Sequence, residues 1–197
     1  MDLKFQIKLK LSTHYLKKCD KILIGGAMAY TFAKALGKEI GTSPCELDQL
    51  DYARKCYESG KILLPVDCKC ADAFENYTEI RTVDMTDGIP AGFEGLDIGP
   101  KTEELYKDVI ASAKLIFWNG PMGVFEDDNF QHGTVEVCKA ITENKDAFSV
   151  IGGGDSAAAA KQFGYAKLFS HVSTGGGASL EMIENDGHLP GIDVIGE

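Results

Sequence analysis

Phe148-Ser149-Val150-Ile151-Gly152-Gly153-Gly154-Asp155-Ser156, continued by Ala157-Ala158-Ala159-Ala160-Lys161-Gln162-Phe163, is a short apolar run, a triple glycine, an acid and then a small-residue helix pattern. Apolar runs of this length between turn signals read as strands, and the alanine-rich stretch that follows reads as a helix. A strand that turns on glycines into a helix is the unit of a parallel sheet covered by helices. Glycines there let the backbone turn tightly and approach a ligand, and the free amides and positive end of the following helix suit a phosphate.

The unit recurs. Ile24-Gly25-Gly26-Ala27 and Ser173-Thr174-Gly175-Gly176-Gly177-Ala178 have the same order of strand, glycines and helix. Each alone reads more readily as a turn. Three in one chain favour a binding edge, because turns alone give no reason for two triple glycines.

Working outward, strands are expected at Lys21–Ile24, Ile62–Val66, Ile80–Val83, Lys114–Trp118, Phe148–Ile151 and Leu168–His171. Helices are expected over Ala27–Leu36, Cys45–Ser59, Thr102–Ala111, Asn129–Thr142, Ser156–Phe163 and Ala178–Asn185. The stretch Asp84–Lys101, with Pro90, Pro100 and four glycines, reads as a long functional loop. The expected fold is α/β, a Rossmann-like, doubly wound and mainly parallel sheet with helices on both faces in three α/β/α layers. The glycine ends then lie at the carboxyl edge of the sheet, where such folds bind ligands.

Two glycine motifs are excluded. Gly152-x-Gly154-x-x-Ala157 fits the dinucleotide fingerprint, but the acid expected about twenty residues later is absent from Ser170-His171-Val172-Ser173. Asp155 inside the turn would also repel a pyrophosphate unless a cation such as magnesium lay between them. Gly99-Pro100-Lys101-Thr102 approaches a P-loop, but a proline separates its glycine from its lysine.

Charge narrows the partners. With 20 Lys+Arg against 30 Asp+Glu the net charge is -10, which disfavours nucleic acid and anionic membrane surfaces. Arg54 and Arg81 are the only arginines, so a phosphate site must rely on lysines, backbone amides and metal. The six cysteines have no C-x-x-C spacing and read as reduced structural thiols. Met1 leads into lysine-interrupted residues and no apolar run is long enough to span a membrane, so a cytoplasmic protein is expected.

Trp118-Asn119-Gly120-Pro121-Met122-Gly123-Val124-Phe125-Glu126 follows a strand and could present Asn119 and Glu126 beside an apolar wall. It is equally a turn plus a helix start. Leu3, Phe5, Ile7, Leu9 and Leu11 alternate with Lys4, Gln6, Lys8 and Lys10, as in a strand with one wet face.

Together these segments resemble phosphoglycerate kinase, in order: Ile24 to Phe32, Leu63 to Asp67, Gly95 to Thr102, Trp118 to Glu126, Gly152 to Ala157, Ser170 to Glu181, and Leu189-Pro190-Gly191. The resemblance covers about residues 19 to 193. It implies a nucleotide-binding domain at 19–197 behind an atypical segment at 1–18, without the family's amino-terminal domain. It further implies Mg2+ with ADP or ATP, a monomer, and use of 3-phosphoglycerate only if an amino-terminal domain is supplied.

By that resemblance Gly25 and Gly26 with Gly99 flank the adenine, and Asn119, Pro121, Val124 and Glu126 face the base and ribose. Gly153, Gly154, Asp155 and Ser156 meet the phosphates, with Asp155 on the magnesium. Gly175, Gly176 and Gly177 cradle the transferring phosphoryl group. Counted back from Gly25, Lys4 and Lys8 fall at the family's paired phosphate lysines, but the family's preceding glycines are absent and the two read more readily as outward residues of the alternating strand. His171 reads as a packed or capping residue, since phosphoryl transfer of this kind needs no protein nucleophile.

Overall fold

The computed structural model describes residues 16–177 and 179. Eight strands are present among them: β1 (Ile22–Leu23), β2 (Ile62–Leu63), β3 (Asp67–Ala71), β4 (Ile80–Asp84), β5 (Glu94–Ile98), β6 (Leu115–Trp118), β7 (Phe148–Gly152) and β8 (His171–Ser173). The α-helices are α1 (Ala27–Ala35), α2 (Leu50–Tyr57), α3 (Pro100–Ser112), α4 (His132–Glu143) and α5 (Gly154–Gln162). Strands β1 and β2 pair in parallel, and β6, β7 and β8 form a parallel sheet in that order.

Period-two alternation sorts the side chains between layers. Ile22 of β1, Ile24 just after it and Ile62 of β2 pack with Phe32 of α1 and with Ala53 and Cys56 of α2. Leu23 and Leu63 turn to the other face, against the cluster holding Tyr106 and Ile110 of α3. The same cluster takes Trp118 and Ile151 from the β6–β8 sheet, Val137 and Ile141 from α4, and Ala159 and Ala160 from α5. Helices thus flank the strands on two sides, as expected of the α/β class.

One buried polar contact ties α3 to the sheet. The Tyr106 hydroxyl donates to the Ile24 carbonyl at 2.6 Å and lies 3.2 Å from that of Leu63. Tyr106→Phe keeps the ring but strips the hydroxyl donor from the buried Ile24 carbonyl, and is expected to cost about 1–2 kcal/mol of unfolding free energy by urea titration.

Several expectations need correction. The stretch Asp84–Lys101 is not simply a loop: it contains β5, and α3 already begins at Pro100. Strand β5 joins β3 and β4 in an antiparallel sheet ordered β4-β3-β5, outside the parallel scheme. Its core is Tyr30, Cys68, Cys70, Ile89 and Phe93. Strand β4 coincides with the expected Ile80–Val83, whereas β3 and β5 carry no strand signal of their own: Asp67-Cys68-Lys69-Cys70-Ala71 and Glu94-Gly95-Leu96-Asp97-Ile98 hold polar and glycine residues, and only mutual pairing selects them as strands.

The last strand begins later than expected. Ala166–Leu168 is a 3-10 turn and the ladder runs over His171–Ser173. His171 is exposed rather than packed. The expected helix over Ala178–Asn185 lies, apart from Ser179, outside the described residues, as does the alternating segment Leu3–Leu11.

Candidate functional site

The ends of β6, β7 and β8 converge. Gly153 follows β7 with φ 99° and caps α5, and its amide donates to the Ser173 carbonyl of β8 at 3.0 Å. A Cβ built on Gly153 would lie 2.7 Å from Asn119 Oδ1, and one on Gly176 would lie 2.6 Å from the Gly153 Cα. No side chain larger than hydrogen fits either position without displacing its neighbour. Asn119, Gly153 and Gly176 are therefore in close approach at one sheet edge.

Two helix starts open there. The first-turn amides of α5 belong to Gly154, Asp155 and Ser156 and have no acceptor within the helix. A second helical turn begins at Gly175, whose carbonyl accepts from the Ser179 amide at 2.9 Å, with Gly176 and Gly177 in its first turn. The dipole of α5 and its first-turn amides favour negative charge at this edge. Asp155 is exposed, whereas Ser156 is buried with its hydroxyl 2.6 Å from the Gly120 amide, which donates to it. The Ser156 side chain thus fixes the turn after β6.

A second rim joins the end of β1 to the loop after β6. The Gly26 amide donates to the Met122 carbonyl at 2.9 Å, and a Cβ on Gly25 would meet Met122 Sδ at 2.5 Å. The Thr134 hydroxyl of α4 accepts from the Met122 amide at 3.1 Å, and the Leu96 carbonyl of β5 accepts from the Val124 amide at 2.9 Å. Pro121 and Val124 are half-buried along this loop, and Glu126 is exposed at its end.

Gly99 does not belong to this rim. It is buried behind Asp67, whose Cγ would stand 2.3 Å from a Cβ at that position. Asp67 accepts from the Lys101 amide at 3.0 Å, the Thr102 amide at 2.8 Å and the Thr102 hydroxyl at 2.6 Å. The amino end of α3 is thereby filled by the protein's own carboxylate. The absence of a Cβ at Gly99 thus admits a buried helix cap. Lys8, with Lys4, lies outside the described residues.

Asp97 is a supporting residue that sequence reading did not single out. It is 1% exposed and accepts from the amides of Gly133 at 2.8 Å and Ile98 at 2.9 Å. Cβ atoms built on Gly123 and Gly133 would both meet its carboxylate, so it holds the loop after β6 against the start of α4. A lone acid in the apolar run Leu96-Asp97-Ile98 was the available signal.

Burial pushes the Asp97 carboxyl up to about 7, with Glu103 adding to the rise and the two amides and Lys69 opposing it. An acid whose pKa is raised by folding stabilises most below its unfolded value of about 4 and loses that contribution as pH rises through about 7. The stability of the chain relative to Asp97→Asn is therefore expected to fall between about pH 4 and pH 7, as read from urea midpoints across that window.

Comparison with known proteins gives a consistent result. The phosphoglycerate kinase family model matches residues 3–186. Phosphoglycerate kinase of Staphylococcus saprophyticus subsp. saprophyticus is 54% identical over 190 residues, covering 95% of this chain and 48% of that protein. That of Thermosipho africanus is 53% identical over 195 residues, with the same two shares. Among solved structures, phosphoglycerate kinase from Coxiella burnetii superposes with a TM-score of 0.89 at 37% identity, over 96% of this chain and 50% of its own. The enzyme from Pyrococcus horikoshii OT3 gives 0.83 at 32% identity, over 98% and 49%. The chain spans about half the length of the curated relatives it matches.

Proposed function

Because the chain belongs to the phosphoglycerate kinase family, we propose that it binds Mg-ADP and Mg-ATP and supplies the nucleotide half of reversible phosphoryl transfer between 1,3-bisphosphoglycerate and ADP. The observation that carries this reading is the convergence of Asn119, Gly153 and Gly176 between two helix starts. Such a cradle presents amides to phosphate oxygens with little side-chain bulk in the way.

In this reading Gly25, Gly26, Pro121 and Val124 line the base, and Asn119 and Glu126 hydrogen-bond the sugar. The amides of Gly153, Gly154, Asp155 and Ser156 hold the nucleotide phosphates. Those of Gly175, Gly176 and Gly177 receive the transferring group. Positioning and neutralisation are the chemistry required, and a side-chain nucleophile is not.

The residues fit magnesium in one particular way. Among the described residues no three His, Cys, Asp or Glu side chains cluster as a metal cage. One exposed carboxylate at a helix start, Asp155, suits an ion held mainly by substrate phosphates and water. When bound, the ion neutralises charge on those phosphates. Asp155→Asn is expected to weaken Mg-ADP binding on the order of 30-fold while leaving metal-free ADP within about twofold, by calorimetric titration with and without EDTA. Equal losses in both titrations would remove the metal role from Asp155.

A narrower second reading, a nucleotide-binding module without turnover, is favoured by the half-length match. A coupled assay with MgATP and 3-phosphoglycerate separates the two. We expect the 197-residue chain to bind Mg-ADP and to turn over only when an amino-terminal domain is added. Turnover by the chain alone would overturn that division of labour, and failure to bind Mg-ADP would overturn the site. No helix among the described residues is long and apolar enough to cross a membrane. A cytoplasmic monomer completes the proposal, with sedimentation as the check on its mass.

A further inference from the structure

Strands β1 and β6 each lack a partner on one side among the described residues. The Ile22 and Ile24 amides bond the Lys61 and Leu63 carbonyls at 2.9 and 3.0 Å, so the backbone groups of Leu23 between them face away from β2. Likewise the Lys114 carbonyl accepts from the Phe148 amide at 2.8 Å. Leu115 and Phe117, one and three residues further on, therefore face away from β7.

These two open edges belong to neighbouring parts of one sheet. The Gly26–Met122 bond joins the loops at their carboxyl ends, and Leu23 packs on the cluster that contains Trp118. Leaving such edges bare would orphan donors and acceptors in the middle of the fold.

The two faces of the opening differ. On one side lies the apolar layer of α3, with Tyr106 and Ile110 buried. On the other, past α1, the β6–β7 face is open, with Leu115 71% and Phe148 56% exposed. A strand that fits must be apolar on one face and can be polar on the other. Leu3, Phe5, Ile7, Leu9 and Leu11 alternate with Lys4, Gln6, Lys8 and Lys10 in that pattern.

The chain also arrives at the right place. Residues 1–15 precede the described part, which starts at Leu16. The Leu16 carbonyl is 2.7 Å from Lys61 Nζ, beside the amino end of β2, and its side chain packs with the α1–α2 cluster. Residues 12–21 join Leu11 to β1, and about ten residues is the minimum for a crossover between parallel neighbours.

We propose that the slot between β1 and β6 is filled by the chain's own segment Leu3–Leu11, its apolar side on the α3 layer and its lysines on the open face. The order β2-β1-(Leu3–Leu11)-β6-β7-β8 then makes one continuous six-stranded sheet. The proposal concerns the integrity of the sheet and stands apart from the nucleotide reading.

Amide hydrogen exchange of the 197-residue chain, resolved by NMR, tests it. The amides of Leu23, Leu115 and Phe117 should be protected like those of Ile24 and Ile116, which face β2 and β7. Deleting residues 1–11 should speed exchange at the first three on the order of 100-fold and spare the other two, and a peptide of residues 2–12 should restore protection. Three results overturn the proposal: fast exchange at all three amides in the intact chain, protection that survives the deletion, or protection that appears only as a dimer forms and so assigns the slot to a second copy. Should the deletion variant not fold, the intact chain decides. Nuclear Overhauser contacts from segment 3–11 to the amides of both Leu23 and Phe117 support the insertion, and absence of either contact sinks it.

Discussion

Asp67→Ala is expected to lower the unfolding free energy by about 3–5 kcal/mol, the largest loss among the substitutions considered. Asp67 is 2% exposed, and its carboxylate takes the amides of Lys101 and Thr102 and the Thr102 hydroxyl. The hydroxyl in turn accepts from the amides of Val66 and Asp67 at 3.0 and 3.1 Å, so β3, the preceding turn and the start of α3 share one network. Alanine leaves buried donors without acceptors and removes a negative charge from a helix start. Asp67→Asn keeps the shape and one oxygen, and should cost only about 1–2 kcal/mol. Urea unfolding followed by the single tryptophan, Trp118, reads both variants. Equal, small losses would mean that the network is not what anchors α3.

Gly153→Ala is expected to weaken Mg-ADP binding on the order of 100-fold and to cost about 1–3 kcal/mol of stability. At φ 99° an alanine is strained, and its methyl would stand 2.7 Å from Asn119 Oδ1. Asn119 or the glycine turn must shift, and the proposed cradle depends on both. A double-mutant cycle isolates the clash from the strain: in an Asn119→Ala background the same alanine loses its collision partner and should do less further harm. Unchanged Mg-ADP affinity in a folded Gly153→Ala chain would show that nucleotide binds elsewhere.

The local units of the fold were legible because they are written in contiguous residues. Phe148–Gly152 followed by Gly154–Gln162, and Leu115–Trp118 followed by a glycine-proline turn, carry strand, break and helix signals in unbroken order. Helices α1 and α4 were legible for the same reason. The antiparallel sheet was not, because β3 and β5 have mixed polar sequences and acquire their strand character from each other and from the Tyr30, Ile89 and Phe93 cluster. Their residues are brought together by the chain's path rather than by any local period.

The glycine positions divide in the same way. Gly153 and Gly176 could be read as sites of close approach from sequence alone, although which atoms they approach could not. Gly99 looked equivalent to them and is not, because its neighbour is Asp67, thirty-two residues earlier in the chain. Ser156 likewise looked like a phosphate contact, yet its hydroxyl is engaged by the Gly120 amide.

By itself the sequence determined the α/β class, the carboxyl-edge placement of three glycine turns and the family to which the chain belongs. All three follow from residue order, since strand, glycine and helix propensities act over a few neighbouring positions. Tertiary structure alone decided which helix starts remain open to an anion, that Asp67 closes α3, and that Asp97 holds the loop after β6 with a carboxyl pushed up to about 7. Those outcomes depend on desolvation and on hydrogen-bond partners far apart in the chain, which come into being only when the layers pack.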